Sequence, residues 1–141
     1  FVGTAGSYGR YKIFDIVQSH KASNIELGFL NNFCYTPLTS HIEAIPAHVS
    51  RGTNNLSPIV NSSNYITIDD SLAEKMLSHN IELENMEFFS ILHVAKKFNI
   101  PCSGLFVITN YCNKHAHRDF MQNHQKAKEL IILHVEKNMK I

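Results

Sequence analysis

Asn85-Met86-Glu87-Phe88-Phe89-Ser90-Ile91-Leu92-His93-Val94-Ala95-Lys96-Lys97-Phe98-Asn99-Ile100-Pro101-Cys102-Ser103-Gly104-Leu105-Phe106-Val107-Ile108-Thr109-Asn110 is the stretch that decides the fold class. Phe88, Ile91, Leu92, Ala95 and Phe98 recur at i, i+3, i+4, i+7 and i+10, with Ser90, His93 and Lys97 on the other side, which is the pattern of an amphipathic helix. Asn99 and Pro101 end it, since proline has no N–H to continue the ladder. Ser103 to Thr109, centred on Leu105, Phe106, Val107 and Ile108, is then a continuous apolar run of the kind that fills a sheet covered on both faces. A helix followed by a doubly covered strand implies an α/β layer structure, in which ligands gather outside the carboxyl ends of strands. Asn110 stands at such an end.

Working outward from this stretch, Glu84 and Glu87 stand at the start of the helix, opened by Asn85 to Glu87, where a helix N-terminus favours a carboxylate. Before it, Pro58 to Ile68 reads as a strand that opens at Asn61 to Asn64 into a functional loop. A short helix follows, capped by Asp69 or Asp70, with Ser71 and Glu74 at capping-box spacing. Phe1 to Ala5 is an apolar run closed by Gly3, Gly6 and Gly9, a buried strand entering a tight turn near Gly6. Tyr11 to Ser19 alternates loosely and suits a second strand. His20 to Leu56, rich in Asn, Ser, Thr and Pro, predicts short strands and loops. On the other side, a last helix is expected from Met121 to Asn138, with Ala127, Leu130, Ile131, His134 and Val135 on one face.

Length and composition bound the class. A chain of 141 residues, 44% hydrophobic and 18% charged, is one globular domain's worth, so a single domain over 1–141 is expected. Thirteen Lys and Arg against twelve Asp and Glu give a formal charge of +1, which lacks the electrostatic footprint of a nucleic-acid binder. No stretch approaches the roughly 20 apolar residues of a membrane span, and the first residues lack the regions of a signal peptide. Cys34, Cys102 and Cys112 are odd in number and lack zinc-type spacing, which fits reduced thiols of a cytoplasmic protein. The chain begins at Phe1, without Met and inside an apolar run, so preceding sequence is expected.

Four groups of residues could carry chemistry. Gly3, Thr4, Ala5 and Gly6 could present backbone N–H groups and a hydroxyl to a phosphate, with a plain tight turn as the competing reading. Their spacing is neither the dinucleotide fingerprint nor a P-loop. Glu87, beside Met86, could accept two hydrogen bonds from a ribose diol, because an ionised carboxylate has only acceptor character; stabilisation of the helix start is the competing reading. His115 and His117 are the tightest pair among nine histidines, and with Asn113 and Lys114 they read as a solvated or structural pair in a loop, not a metal site. No serine elbow is present, and no cysteine has a nearby basic partner.

Taken in order, Gly3-Thr4-Ala5-Gly6, Asp15-Ile16-Val17, Ser63-Asn64-Tyr65-Ile66, Asn85-Met86-Glu87, Phe98-Asn99-Ile100-Pro101 and Phe106-Val107-Ile108-Thr109-Asn110 resemble the purine nucleoside phosphorylase and nucleosidase superfamily. The resemblance spans Phe1 to about Ile131 and looks like the C-terminal two-thirds of a family member, without the N-terminal strands that bring a phosphate-contacting glycine and arginine. It implies a three-layer phosphorylase/nucleosidase-like α/β fold with a central mixed twisted sheet flanked by helices. It also implies a phosphate site at Gly3, Thr4, Ala5 and Gly6, with the Thr4 hydroxyl on the phosphate. Tyr65, with Ile66 beside it, would meet the base. Met86 would lie under the sugar with Asn85 also among the substrate-binding residues, Glu87 would hold the sugar hydroxyls, and Asn110 would contact the purine around N7. Many members have Asp at that last position.

The departure at Asn110 has a chemical consequence. Protonated Asp donates to N7, accepts from a 6-amino group and can deliver a proton to the leaving base; Asn cannot deliver it. Two amide donors fit N7 and O6 of hypoxanthine or guanine, so the expectation is a preference for 6-oxopurines; ending a strand is the bland role for the same residue. The expected activity is therefore a purine-salvage glycosyl transfer. Phosphate captures C1′ of inosine or guanosine while Glu87 orients the sugar and Asn110 stabilises the departing base, giving free purine and ribose 1-phosphate. Inorganic phosphate is the co-substrate, and no metal or organic cofactor is expected. The alternatives are a hydrolytic purine nucleosidase, against which Asn110 counts, and a degenerate member that binds without turnover. The resemblance also implies a homo-oligomer, dimer or hexamer. Phe29, Phe33 and Tyr35 could form its surface or equally fill the core. Arg10 and Arg51 are the guesses for a phosphate partner, Arg118 being the third arginine.

Overall fold

A computed structural model of the chain describes residues 1–47 and 57–138. The strands among these residues are β1 (Val2–Ser7), β2 (Ile16–Ser19), β3 (Lys21–Ser23), β4 (His41–Glu43), β5 (Ile59–Asn61), β6 (Ile81–Glu84) and β7 (Gly104–Tyr111). They form one mixed sheet in the order β2-β7-β1-β6-β5-β3-β4. β1 runs parallel to β7 and antiparallel to β6, so the pairing changes sense at the centre of the sheet. The helices are α1 (Leu27–Leu30), α2 (Asp70–Ser78), α3 (Phe88–Lys97) and α4 (Ala116–Asn138).

The alternation of β7 divides the core between its two faces. Phe106 and Ile108 pack with Phe88 and Leu92 of α3, while Val107 packs with Ala127 and Ile131 of α4. Phe88 and Phe106, both fully buried, meet edge to face with centroids 5.0 Å apart. Gly104 is required beside them, because a Cβ there would lie 2.5 Å from the Phe106 ring and 2.6 Å from that of Phe88. A separate cluster joins Met76 of α2, Ile81 of β6 and Tyr8. The expected mixed sheet flanked by helices is therefore present.

Several boundaries differ from the sequence reading. β1 does not turn near Gly6 but continues to Ser7, because Gly6 pairs with both Asn110 and Glu84. β2 begins only at Ile16: Asp15 N–H donates to the Lys12 carbonyl, the Asp15 carboxylate accepts from Lys12 N–H, and Phe14 takes φ 73°, so Lys12 to Asp15 is a turn. Asp69 caps α2 by accepting from Leu72 N–H at 3.1 Å, which leaves Ser71 inside the first turn and the capping box unused. β6 replaces the expected helix opening at Glu84, and α4 starts at Ala116, before Met121. Phe33 and Tyr35 are 84% and 86% exposed, and Phe29 sits at the border, so these rings do not fill the core. Arg51 lies outside the described residues.

Candidate active site

β6 ends at Glu84 opposite Gly6, and the chain leaves the sheet through Asn85 to Glu87 into α3. The earlier part of β1, Val2 to Ala5, pairs only with β7 on its other side. Where the sheet changes from parallel to antiparallel pairing, a cavity of about 400 Å³ opens. Thr4, Ala5 and Gly6 of β1 form one part of its lining and Glu84 to Glu87 another; Asn110 of β7 and Ile66 contribute further parts. Ala116, His117 and Phe120 close it from the first turns of α4.

Asn85 holds this arrangement together. Its Oδ1 accepts from the N–H groups of Glu87 and Phe88, at 3.1 and 3.0 Å, which caps the start of α3. Its Nδ2 donates to the Thr4 carbonyl at 3.0 Å and ties the same turn to β1. Ser62 adds a second tie, donating to the Asn85 carbonyl at 2.6 Å and accepting from Phe89 N–H. Capping is thus done by Asn85, and the Glu87 carboxylate makes no capping bond at the mouth of the cavity. Met86 beside it is 48% exposed.

Asn110 is buried, at 8% exposure. Its Oδ1 accepts from the Thr109 hydroxyl at 2.9 Å, and its Nδ2 donates to the Tyr111 carbonyl at 3.2 Å. One amide hydrogen therefore remains for a ligand, where the sequence reading assigned two. Gly6 is explained by this packing and not by a turn: a Cβ there would lie 3.0 Å from Asn110 Nδ2 and 2.9 Å from Cys112 Sγ. The structure thus brings Thr4, Ala5, Gly6, Ile66, Asn85, Met86, Glu87 and Asn110 to one cavity. Gly3 and Tyr65 are not in its lining. Gly3 faces the Phe1 ring, and the Tyr65 hydroxyl donates to the Ile25 carbonyl at 3.4 Å. Burial, then the nearby Glu84 and Glu26 charges, push the Tyr65 phenol up to about 12.

Sequence reasoning missed four lining residues, Glu84, Ala116, His117 and Phe120. Glu84, read as part of a helix start, is the last residue of a strand and only 7% exposed. Its Oε2 accepts from the Tyr8 hydroxyl at 2.8 Å and the Thr67 hydroxyl at 2.5 Å, and its Oε1 accepts from Thr67 N–H at 3.0 Å. Burial first, then the Glu84 charge, raise both the Tyr8 phenol and the Cys112 thiol far above their ordinary values, so both stay protonated. The alternation of Ile81 and Leu83 was the signal for this strand. His117 and Phe120 were missed because α4 begins earlier than its apolar periodicity; His117 lies in that helix and not in a loop. Arg10 and Arg118 are engaged elsewhere, on Glu82 at 2.7 Å and Asp119 at 3.0 Å. Among the described residues no group of three or more His, Cys, Asp or Glu could hold a metal ion, and no helix is long and apolar enough to cross a membrane.

Solved structures share this arrangement of strands and helices. A futalosine hydrolase variant of Helicobacter pylori matches with a TM-score of 0.68 and 21% identity, over 92% of this chain and 63% of that one. The 5′-methylthioadenosine/S-adenosylhomocysteine nucleosidase of Streptococcus pneumoniae matches with a TM-score of 0.70 and 17% identity, over 92% and 63%. The chain shares the fold of these proteins. An S-adenosylhomocysteine nucleosidase from Streptococcus pyogenes extends the likeness to 99% of this chain and 67% of its own, with a TM-score of 0.71 and 13% identity. The chain spans 63% of the length of the first two of these proteins. No protein-family model and no curated protein sequence matches it.

Proposed function

We propose that this chain carries the sugar and base subsites of a purine nucleosidase that cleaves the N-glycosidic bond with water. The observation that carries the reading is the meeting of Glu87, Met86 and Asn110 in one cavity whose ionisable lining is Glu84, Glu87 and His117. A lining with two carboxylates disfavours a phosphate dianion. The fold neighbours described as a hydrolase and as nucleosidases support the same choice over the phosphorolysis expected from sequence. Gly3 to Gly6 also lie within a paired strand instead of forming an anion-binding loop.

In this reading Glu87 accepts hydrogen bonds from the ribose diol, and Met86 lies against the sugar. Asn110 donates its remaining amide hydrogen to N7. The C1′–N9 bond breaks with its electron pair leaving on the purine, water forms the new C1′–O bond, and one water proton ends on the base through solvent. Asn110 stabilises the departing base by a hydrogen bond alone. A single donor at N7 does not separate 6-oxo from 6-amino purines, so the proposed substrate class is purine ribonucleosides and their 5′-modified forms.

The test is base release from inosine, adenosine and 5′-methylthioadenosine by the purified full-length protein, with and without phosphate. Equal rates in phosphate-free buffer, with free sugar as product, are expected. A strict phosphate requirement would restore the phosphorylase reading.

A further inference from the structure

Glu84 is a buried charge that the mechanism above leaves unused. Three donors converge on its two oxygens, and all three are neutral: the Tyr8 hydroxyl, the Thr67 hydroxyl and the Thr67 backbone N–H. That is the pattern of an ionised, acceptor-only carboxylate. Among the described residues no lysine, arginine or histidine nitrogen forms an ion pair with it. Hydrogen bonds solvate such a charge without cancelling it, and burial keeps its field from being screened by water. The donors are themselves fixed, since Tyr8 is 4% and Thr67 1% exposed. Yet Glu84 lines the same cavity as Glu87 and Asn110.

We propose that Glu84 gives the cavity a fixed negative charge that stabilises the ribosyl cation formed as the C1′–N9 bond breaks. This rests on the nucleosidase reading. The residue acts through its field at a distance, held in place by Tyr8 and Thr67, and Glu87 remains the group that bonds the sugar. A preorganised charge of this kind costs no reorganisation when the transition state forms.

The experiment uses two purine nucleoside analogues with the same base. One has a protonated pyrrolidine nitrogen in its sugar ring, and the other has a neutral carbocycle. Their dissociation constants are measured by calorimetry on full-length wild type, Glu84→Gln, Glu84→Met and Tyr8→Phe. Glu84→Gln should lose roughly 10- to 100-fold in affinity for the cation, the size expected for a unit charge several ångströms away in a partly screened site, while the neutral analogue changes little. The kcat for base release should fall in parallel with KM nearly constant. Glu84→Met should show the same loss, which covers a Gln variant that fails to fold. Tyr8→Phe keeps the carboxylate and should keep the preference for the cation. Equal weakening of both analogues in the charge-free variants, or an unchanged preference, overturns the proposal, as does a Tyr8→Phe protein that behaves like Glu84→Gln. Wild-type protein that binds neither analogue overturns the nucleosidase reading itself.

Discussion

Glu84, at the end of β6, is 7% exposed and gathers three hydrogen-bond donors, whereas Glu87, three residues on at the start of α3, is exposed at the mouth of the same cavity and caps nothing. One turn of chain separates a carboxylate built into the wall from one left available to a ligand. The difference comes from the neighbours each meets in space. Tyr8 and Thr67 enclose the first, while Asn85 takes over the capping work that would otherwise occupy the second. A carboxylate's function thus follows from its donors and not from its place in the sequence.

The comparison breaks most readily at Glu87. Glu87→Ala should lower kcat/KM by about 10²- to 10⁴-fold if it accepts two hydrogen bonds from the sugar, at roughly 1.5 to 3 kcal/mol each for a charged acceptor, and should leave the urea midpoint unchanged. Full activity in that variant would remove Glu87 from the site. Around Glu84 the order of effects is reversed and stability suffers. Tyr8→Phe removes a buried donor to a charge, and urea unfolding should show a loss of about 1.5 to 3 kcal/mol.

Between the two glutamates, Asn85→Ala sharpens the contrast by loosening their connection. Loss of the cap should lower stability by about 1 kcal/mol and raise KM, since the turn bearing Glu87 is no longer tied to β1. A stability loss with unchanged KM would show that Glu87 is held by other means. The smallest effect is spectroscopic. Tyr65, pushed up to about 12 by burial first and then by the Glu84 charge, should titrate at lower pH in Glu84→Gln, followed by phenolate absorbance. Because its folded value lies above the ordinary 10.0, its contribution to stability is complete below about pH 10 and is lost as pH rises toward about 12. An unmoved titration would mean that the Glu84 charge does not reach this loop.

Long periodic segments were legible from the amino acids alone. The 3.6-residue spacing of Phe88, Leu92 and Ala95 announced α3, and the run from Leu105 to Ile108 announced the doubly covered β7. Asp69 was readable as a cap because capping is local. What escaped notice depended on contacts distant in sequence. β6 has four residues, too few for Ile81 and Leu83 to stand out against a following helix. The donors of Glu84 lie at Tyr8 and Thr67, 76 and 17 positions away. Gly6 looked like a turn glycine, but it is required by the close approach of Asn110 and Cys112 across the sheet. The side-chain bonds of Asn110, which leave one donor free instead of two, follow from its neighbours Thr109 and Tyr111 in the folded strand.

The most direct measurement is turnover of a purine ribonucleoside by the full-length protein in oxygen-18 water containing phosphate, with mass spectrometry of the sugar product. Hydrolysis at this acidic cavity predicts free ribose that carries one oxygen-18 at C1 when quenched before anomeric exchange. Ribose 1-phosphate without the label would contradict the account.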